Sequence, residues 1–326
     1  MPAAIVEKDC TTAEEFLDQL RLECLVWSSQ RYFWAFRGIE DDRFPLLPKA
    51  LRLDPPAELG YTFAPSIGRQ PTNELQVKAE FERLREFFWT ADAQGLLIPG
   101  DNNLIRTPED RESLNKSQDE GGWPTNKLLP LVALAQHYGV ATRLLDWTQK
   151  PLVAAYFAAK KAAEKPRSDA TRISVWALNF DWVIHKAWPA GRSKNIAVFV
   201  VTAPRASNPN LHAQGGIFTA EKIMKKDWGN PTSALSVDKL VARRHTELPS
   251  PQPTVMHHFR LPIAEAKKLL RLLHREGVDA ATLFPGYQGV ADSIAERQHW
   301  DNRERVNFWL TDDFKRWNRE HSPLCQ

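Results

Sequence analysis

The stretch from Leu134 to Ala158 constrains this chain more than any other part of its sequence. An apolar helical run closes on Gln136 and His137, and Gly139 follows where a helix C-terminus needs a residue tolerant of φ > 0. Thr142, Arg143, Asp146, Trp147 and Thr148 then crowd around the Leu144–Leu145 pair. Pro151 falls at the first position of a second helix, where its missing N–H costs nothing. That helix carries no charge from Leu152 to Ala159, before Lys160, so it is expected to be buried all round. Two buried helices flanking a polar turn are therefore expected. Polar groups in such surroundings are costly unless they are partnered or functional, which makes the stretch a candidate site.

Composition narrows the classes. A chain of 326 residues with 43% apolar and 25% charged residues is of ordinary globular make-up and long enough for one large domain or two smaller ones. Twelve Trp assign much of the core to aromatic residues. The net charge of +3 is interspersed along the chain, so charge implies no nucleic-acid partner. The cysteines Cys10, Cys24 and Cys325 have neither metal spacing nor even pairing, and point to a reduced, cytoplasmic protein. The first residues show no signal-peptide pattern, and no window approaches the ~18 apolar residues that would span a membrane.

Taken in order, Thr11 to Glu15 open a helix with Phe16, Leu17, Leu20 and Leu22 at helical spacing. Tyr32 to Gly38 reads as a strand with Trp34 and Phe36 on one face and Arg37 on the other. Residues 41–69 read as loop with one helical turn near 48–53. A clear helix runs from Asn73 to Trp89, with Leu75, Ala79, Phe81, Leu84, Phe87 and Phe88 as its apolar face. Strands are expected at Arg172–Leu178, at Ile196–Val201 (as a central strand), after Gly216, and at Val255–Leu261. Pro262 then starts a helix that Gly277 ends, Ala281 to Pro285 is extended, and Val290 to His299 forms a last helix. The sum is α+β, a mixed sheet core with flanking buried helices. A helical segment over residues 1–29 packs on a domain over 30–300. That domain carries surface insertions near 94–125 and 225–253, and a tail covers 301–326.

Three separated pieces carry a family resemblance. They are Phe36-Arg37-Gly38, then Gln136-His137-Tyr138-Gly139 through Thr142-Arg143-Leu144-Leu145-Asp146-Trp147-Thr148, then Gln214-Gly215-Gly216-Ile217-Phe218. Together, over about residues 30 to 220, they resemble the FRG domain, a bacterial family named for its Phe-Arg-Gly motif. Leu283-Phe284-Pro285-Gly286 also resembles a late family signature. More distantly, the order of elements is similar to the ADP-ribosyltransferase fold. That resemblance implies that Arg37 holds a phosphate or ribose of NAD, Thr142 props the site, and Gln214 takes the late position usually held by Glu. Gln214 is not a carboxylate, and Glu221 lies seven residues further on. The implied protein binds NAD or a related nucleotide in a polar cleft and transfers or hydrolyses ADP-ribose. Such an activity would suit a toxin-like effector in anti-phage defence, acting on a protein target or partner. The alternative is a non-catalytic sensing or interaction domain in which the polar cluster is structural.

The physical chemistry fits a nucleotide pocket. Arg presents a planar five-donor fork to phosphate, Thr and Gln fix hydroxyls or an amide, and Tyr or Trp stack on rings. Arg37, Thr142, Gln214 and His137 are the candidate catalytic residues. Gln136, Arg143, Asp146, Trp147, Thr148, Tyr156 and Phe218 are candidates for ligand contact. Each also has a structural alternative. Arg37 can tie its strand to Asp146, His137 can cap helix carbonyls, Arg143 can bond Asp146, Asp146 can accept N–H groups ahead of Pro151, and Trp147 and Tyr156 can be core. His257 and His258 adjoin in a strand, so they point to opposite faces and cannot share a metal. No Gly-x-Ser-x-Gly occurs to support a Ser-His-Asp hydrolase.

Overall fold

A computed structural model describes residues 2–21, 33–52, 72–99, 103–106, 122–164, 169–188, 197–202, 208–232 and 235–300. Leu22, Cys24, Tyr32, Ile196, Cys325, residues 53–71, residues 107–121 of the expected 94–125 insertion and the 301–326 tail lie outside the described residues. An eight-stranded mixed sheet forms the frame, with helices on both faces.

The strands are β1 (Ile5–Asp9), β2 (Trp34–Ile39), β3 (Gly122–Trp123), β4 (Leu144–Thr148), β5 (Arg172–Asn179), β6 (Ala197–Val201), β7 (Gly216–Met224) and β8 (Met256–Pro262). They run in the order β1-β8-β5-β2-β4-β7-β3, with β6 added on β7. Among the described residues, only the β1–β8 pairing is parallel. The helices that matter here are α1 (Ala13–Leu20), α2 (Asn73–Ala93), α3 (Leu129–His137), α4 (Pro151–Glu164), α5 (Pro209–Gln214), α6 (Val237–Glu247), α7 (Ala266–Arg275), α8 (Ala280–Leu283) and α9 (Tyr287–Trp300).

Period-two alternation sorts the side chains into cores. Trp34, Phe36, Ile173, Val175, Ala177, Phe259 and Leu261 pack under α1, α4 and α7. Ala35, Ile39, Leu145, Trp147, Trp176, Leu178 and Met256 fill the opposite face with α6 and the turn at 180–188. Leu144, Phe218, Ala220 and Ile223 meet α2 and α3 in a third cluster. Helix α4 is buried on nearly every side, as its lack of charge implies.

Several local readings differ from the structure. The supposed polar turn between the two buried helices is strand β4, an interior strand, because Leu144 and Leu145 point into cores on opposite sides. The run at 197–201 is not central: among the described residues β6 pairs with β7 alone, and its apolar residues are covered by the cores on either side. Strand β5 is interior as well, buried along most of its length between β8 and β2. The N-terminal segment contributes β1 as well as a helix, and Ala280–Leu283 is helical because Asp279 and Thr282 close a capping box. The 225–253 stretch carries α6, whose Val237, Leu240 and Val241 belong to the core. His257 and His258 do face opposite ways, His258 stacking on Trp176 with centroids 3.7 Å apart while His257 packs beside Trp34.

Candidate functional site

The site arises where the sheet splits. Strand β2 pairs with β5 from Trp34 to Ile39, and β4 pairs with β7 from Leu144 to Thr148. Between β2 and β4, however, the ladder holds the single pair Phe36↔Thr148. Beyond that pair the strands part, and a cleft of about 680 Å³ occupies the fork.

The Phe-Arg-Gly run supplies three separate parts of this geometry. Phe36 is buried under α4. A Cβ on Gly38 would meet the Ala154 carbonyl at 1.9 Å, so only glycine lets α4 lie this close to β2. Arg37, on the opposite face, reaches across the gap: its Nη1 donates to the Asp146 carbonyl at 2.6 Å and lies 3.5 Å from the Asp146 carboxylate. A side chain thus supplies the bond that a paired strand would otherwise make. The Arg37 side chain is 16% exposed against 53% for Asp146. Its Nε is buried with no hydrogen-bond partner among the described residues. Burial lowers the Arg37 pKa, Asp146 opposes the fall, and the charge of Arg52 adds to it.

Asp146 is held from a second side. Gln136, in the last turn of α3, donates Nε2 to both carboxylate oxygens at 3.2 and 3.0 Å. Thr142 donates its hydroxyl to Gln136 Oε1 at 2.7 Å, which aims the amide N–H₂ at Asp146. Tyr138 ends α3 and Gly139 follows it at φ +86°, so His137 and Tyr138 are delivered to the cleft wall. Burial lowers the pKa of His137 although Asp146 counteracts it, so its imidazole favours the neutral form.

Across the cleft, Asn208 caps α5 and Gly215 ends it at φ +60°. Gly216 then presses on Leu211, where a Cβ would come within 2.2 Å. This closed turn sets Gln214 in the wall, its Nε2 donating to the Leu283 carbonyl at 3.2 Å. Thr148 donates its hydroxyl to the Gln214 carbonyl at 2.5 Å and accepts from the Lys150 N–H at 3.0 Å. Thr148, rather than Asp146, therefore organises the approach to Pro151.

The cleft brings together Arg37, Gln136, His137, Asp146, Trp147, Thr148, Gln214 and Phe218. It does not include Thr142, Arg143 or Tyr156. Thr142 is buried behind Gln136 and acts on the cleft wall through it. Arg143 is turned inward, its Nε and Nη2 donating to the two Glu80 oxygens at 3.1 and 2.8 Å, so it does not pair with Asp146. Tyr156 is buried and hydrogen-bonded to Glu296. Trp147 is mostly core, its Nε1 donating to Thr219 at 2.9 Å. Sequence reasoning missed Glu80, although an acid on the buried face of α2, three residues after Val77 and four before Leu84, was its signal. It also missed Arg52, Glu40, Phe44, Phe157, Lys160 and Phe284 as lining residues. Glu40 and Phe44 sit in or beside irregular backbone, where no periodicity marks a face.

Fold and cleft define an α+β protein with a cleft of mixed polar and aromatic lining at the split of a mixed sheet. Residues 33–167 match the FRG domain family, and the chain carries an FRG domain. The match spans Phe36-Arg37-Gly38 and the 136–148 motif but stops short of Gln214. No curated protein and no solved structure matches this chain. Among the described residues, no helix is long and apolar enough to cross a membrane.

Proposed function

We propose that the cleft binds NAD or a related nucleotide. The observation that carries this reading is Arg37, a mostly buried guanidinium at the floor of the split that keeps donors unspent after its contacts with Asp146. Phe44, Tyr138, Phe157 and Phe284 offer apolar surface for a base, and Gln214 and Thr148 offer polar contacts for ribose hydroxyls. If ADP-ribose is transferred or hydrolysed, positioning and stabilisation of an oxocarbenium-like ribose by Asp146 would be the chain's contribution. In an anti-phage setting that chemistry would make the protein an NAD-consuming effector acting on a protein target or on free NAD.

The test is incubation with NAD and detection of nicotinamide, alongside thermal shift, for wild type, Arg37→Ala and Gln214→Ala. Turnover or a shift lost in Arg37→Ala is expected. Absence of both in the wild type would remove the reading. A second reading is a sensing domain that binds the nucleotide without turnover. It is favoured by the carboxamide at Gln214 and by the occupation of both Asp146 oxygens by Gln136. Binding without nicotinamide release is its signature.

A further inference from the structure

The positive charges lining the cleft are not equally available. Lys160 is paired with Glu296 at 2.7 Å and Lys161 with Glu40 at 3.3 Å, so each ammonium already has its counter-charge. Arg37 and Arg52 differ from them. Arg52 donates Nε to the Leu47 carbonyl at 3.0 Å, which fixes its head, and has no carboxylate partner among the described residues. Arg37 spends one nitrogen on Asp146 and leaves Nε unpartnered. Asp146 compensates Arg37 only weakly, because its carboxylate is 53% exposed and also receives Gln136. Both guanidiniums line this one cleft, and the charge of Arg52 adds to the lowering of the Arg37 pKa that burial causes. Two like charges brought together in a concavity, with unspent donors, are unfavourable until an anion lies between them.

We infer that Arg37 and Arg52 form a two-guanidinium subsite for the phosphate or diphosphate of the cleft's ligand. Planar forks meet phosphate oxygens in bidentate fashion, and a doubly charged group satisfies both. A monocarboxylate would leave one fork unmatched. The inference rests on the cleft being a ligand site, and not on that ligand being NAD.

Calorimetry on the full chain tests it, with sodium pyrophosphate, ADP, NAD and adenosine as probes. Pyrophosphate and ADP bind the wild type, and Arg52→Ala weakens both by about tenfold or more. Adenosine binding does not change in that variant. Arg37→Lys, which keeps the charge but loses the fork, weakens pyrophosphate as well. Arg52 is exposed, so coincident thermal melts of wild type and Arg52→Ala exclude unfolding as the cause. Loss of pyrophosphate binding in Lys161→Ala equal to that in Arg52→Ala would overturn the assignment, as would a wild type that does not bind pyrophosphate. If NAD binds wild type and Arg52→Ala equally, the subsite is wrong while the nucleotide reading stands. If pyrophosphate binds in an Arg52-dependent way and NAD does not bind, the subsite stands and the NAD reading falls.

Discussion

Arg37 and Arg143 are both arginines at the heart of the FRG region, and they are used in opposite ways. Arg143 is 1% exposed and spends its fork on Glu80, whose second oxygen also accepts from Trp123 Nε1 at 2.7 Å. Gln76 adds a further bond to Glu80 at 2.8 Å. Arg37 lies one strand away, bonds a backbone carbonyl, and leaves a buried nitrogen unpaired. The lesson is that burial does not separate a structural cation from a ligand-binding one. What separates them is whether the protein itself completes the hydrogen-bonding set.

The contrast breaks first at Arg143. Arg143→Ala would strand the buried Glu80 charge, with Glu221 close by, and should cost about 3–5 kcal/mol in denaturant unfolding. Arg37→Ala, by the same measurement, should cost about 1 kcal/mol or less, because Asp146 is solvated and keeps Gln136. Equal losses in the two variants would mean that Arg37 is as structural as Arg143.

Glu221 sharpens the buried half of the comparison. It faces the Glu80–Arg143 pair, is 7% exposed, and has its pKa pushed up to about 7 by burial, Arg143 opposing and Glu80 adding to the rise. The folded chain therefore keeps this proton up to about pH 7, whereas the ordinary carboxyl releases it at 4.5. Its contribution to stability is complete below pH 4.5 and drains away as pH rises through 7. Glu221→Gln should leave stability unchanged near pH 4 and raise it by up to about 3 kcal/mol at pH 8. A pH-independent effect of the substitution would show that Arg143 already neutralises Glu221.

Gly38 addresses the cleft half. Gly38→Ala drives a methyl into the Ala154 carbonyl, and helix α4 must retreat. A stability loss of about 2 kcal/mol is expected from this overpacking, with weaker ligand binding because α4 carries Phe157 in the cleft wall. Loss of binding without loss of stability would mean instead that a ligand approaches Gly38 directly.

What was legible in the sequence was local. The glycine after α3, the proline opening α4, the charge-free run of α4 and the Thr12 cap of α1 are each set by neighbours within a turn, and each stands where expected. Strand β1 was not legible: its Val6, Glu7 and Lys8 show no buried alternation, and its partner β8 lies some 250 residues away. The strand character of 144–148 was hidden because five residues with apolar side chains on both faces show no period. Gln136, Asp146 and Arg37, site candidates from their motifs, line one cleft. That Arg143 turns away from them depends on Glu80, a contact 63 residues distant in the chain.

The smallest expected effect probes the link between the two regions. Thr142 adjoins Arg143 but serves the cleft: its hydroxyl accepts from the Leu144 N–H at 3.1 Å while donating to Gln136 Oε1 at 2.7 Å. The donated proton decides which end of the Gln136 amide faces Asp146, since only the N–H₂ end can bond both carboxylate oxygens. Thr142→Val keeps the shape, removes both bonds and should cost about 1 kcal/mol of stability. The Gln136 side-chain N–H₂ resonances should lose their protection from exchange, and pyrophosphate affinity should fall by about threefold through the loosened Asp146–Arg37 pair. A Gln136→Ala variant should reproduce the affinity loss and make Thr142→Val silent on that background, because a relay has no second route once its middle member is gone. Additive losses in the double variant would instead place Thr142 in the structural region with Arg143, and the boundary between the two regions would then fall at Gln136.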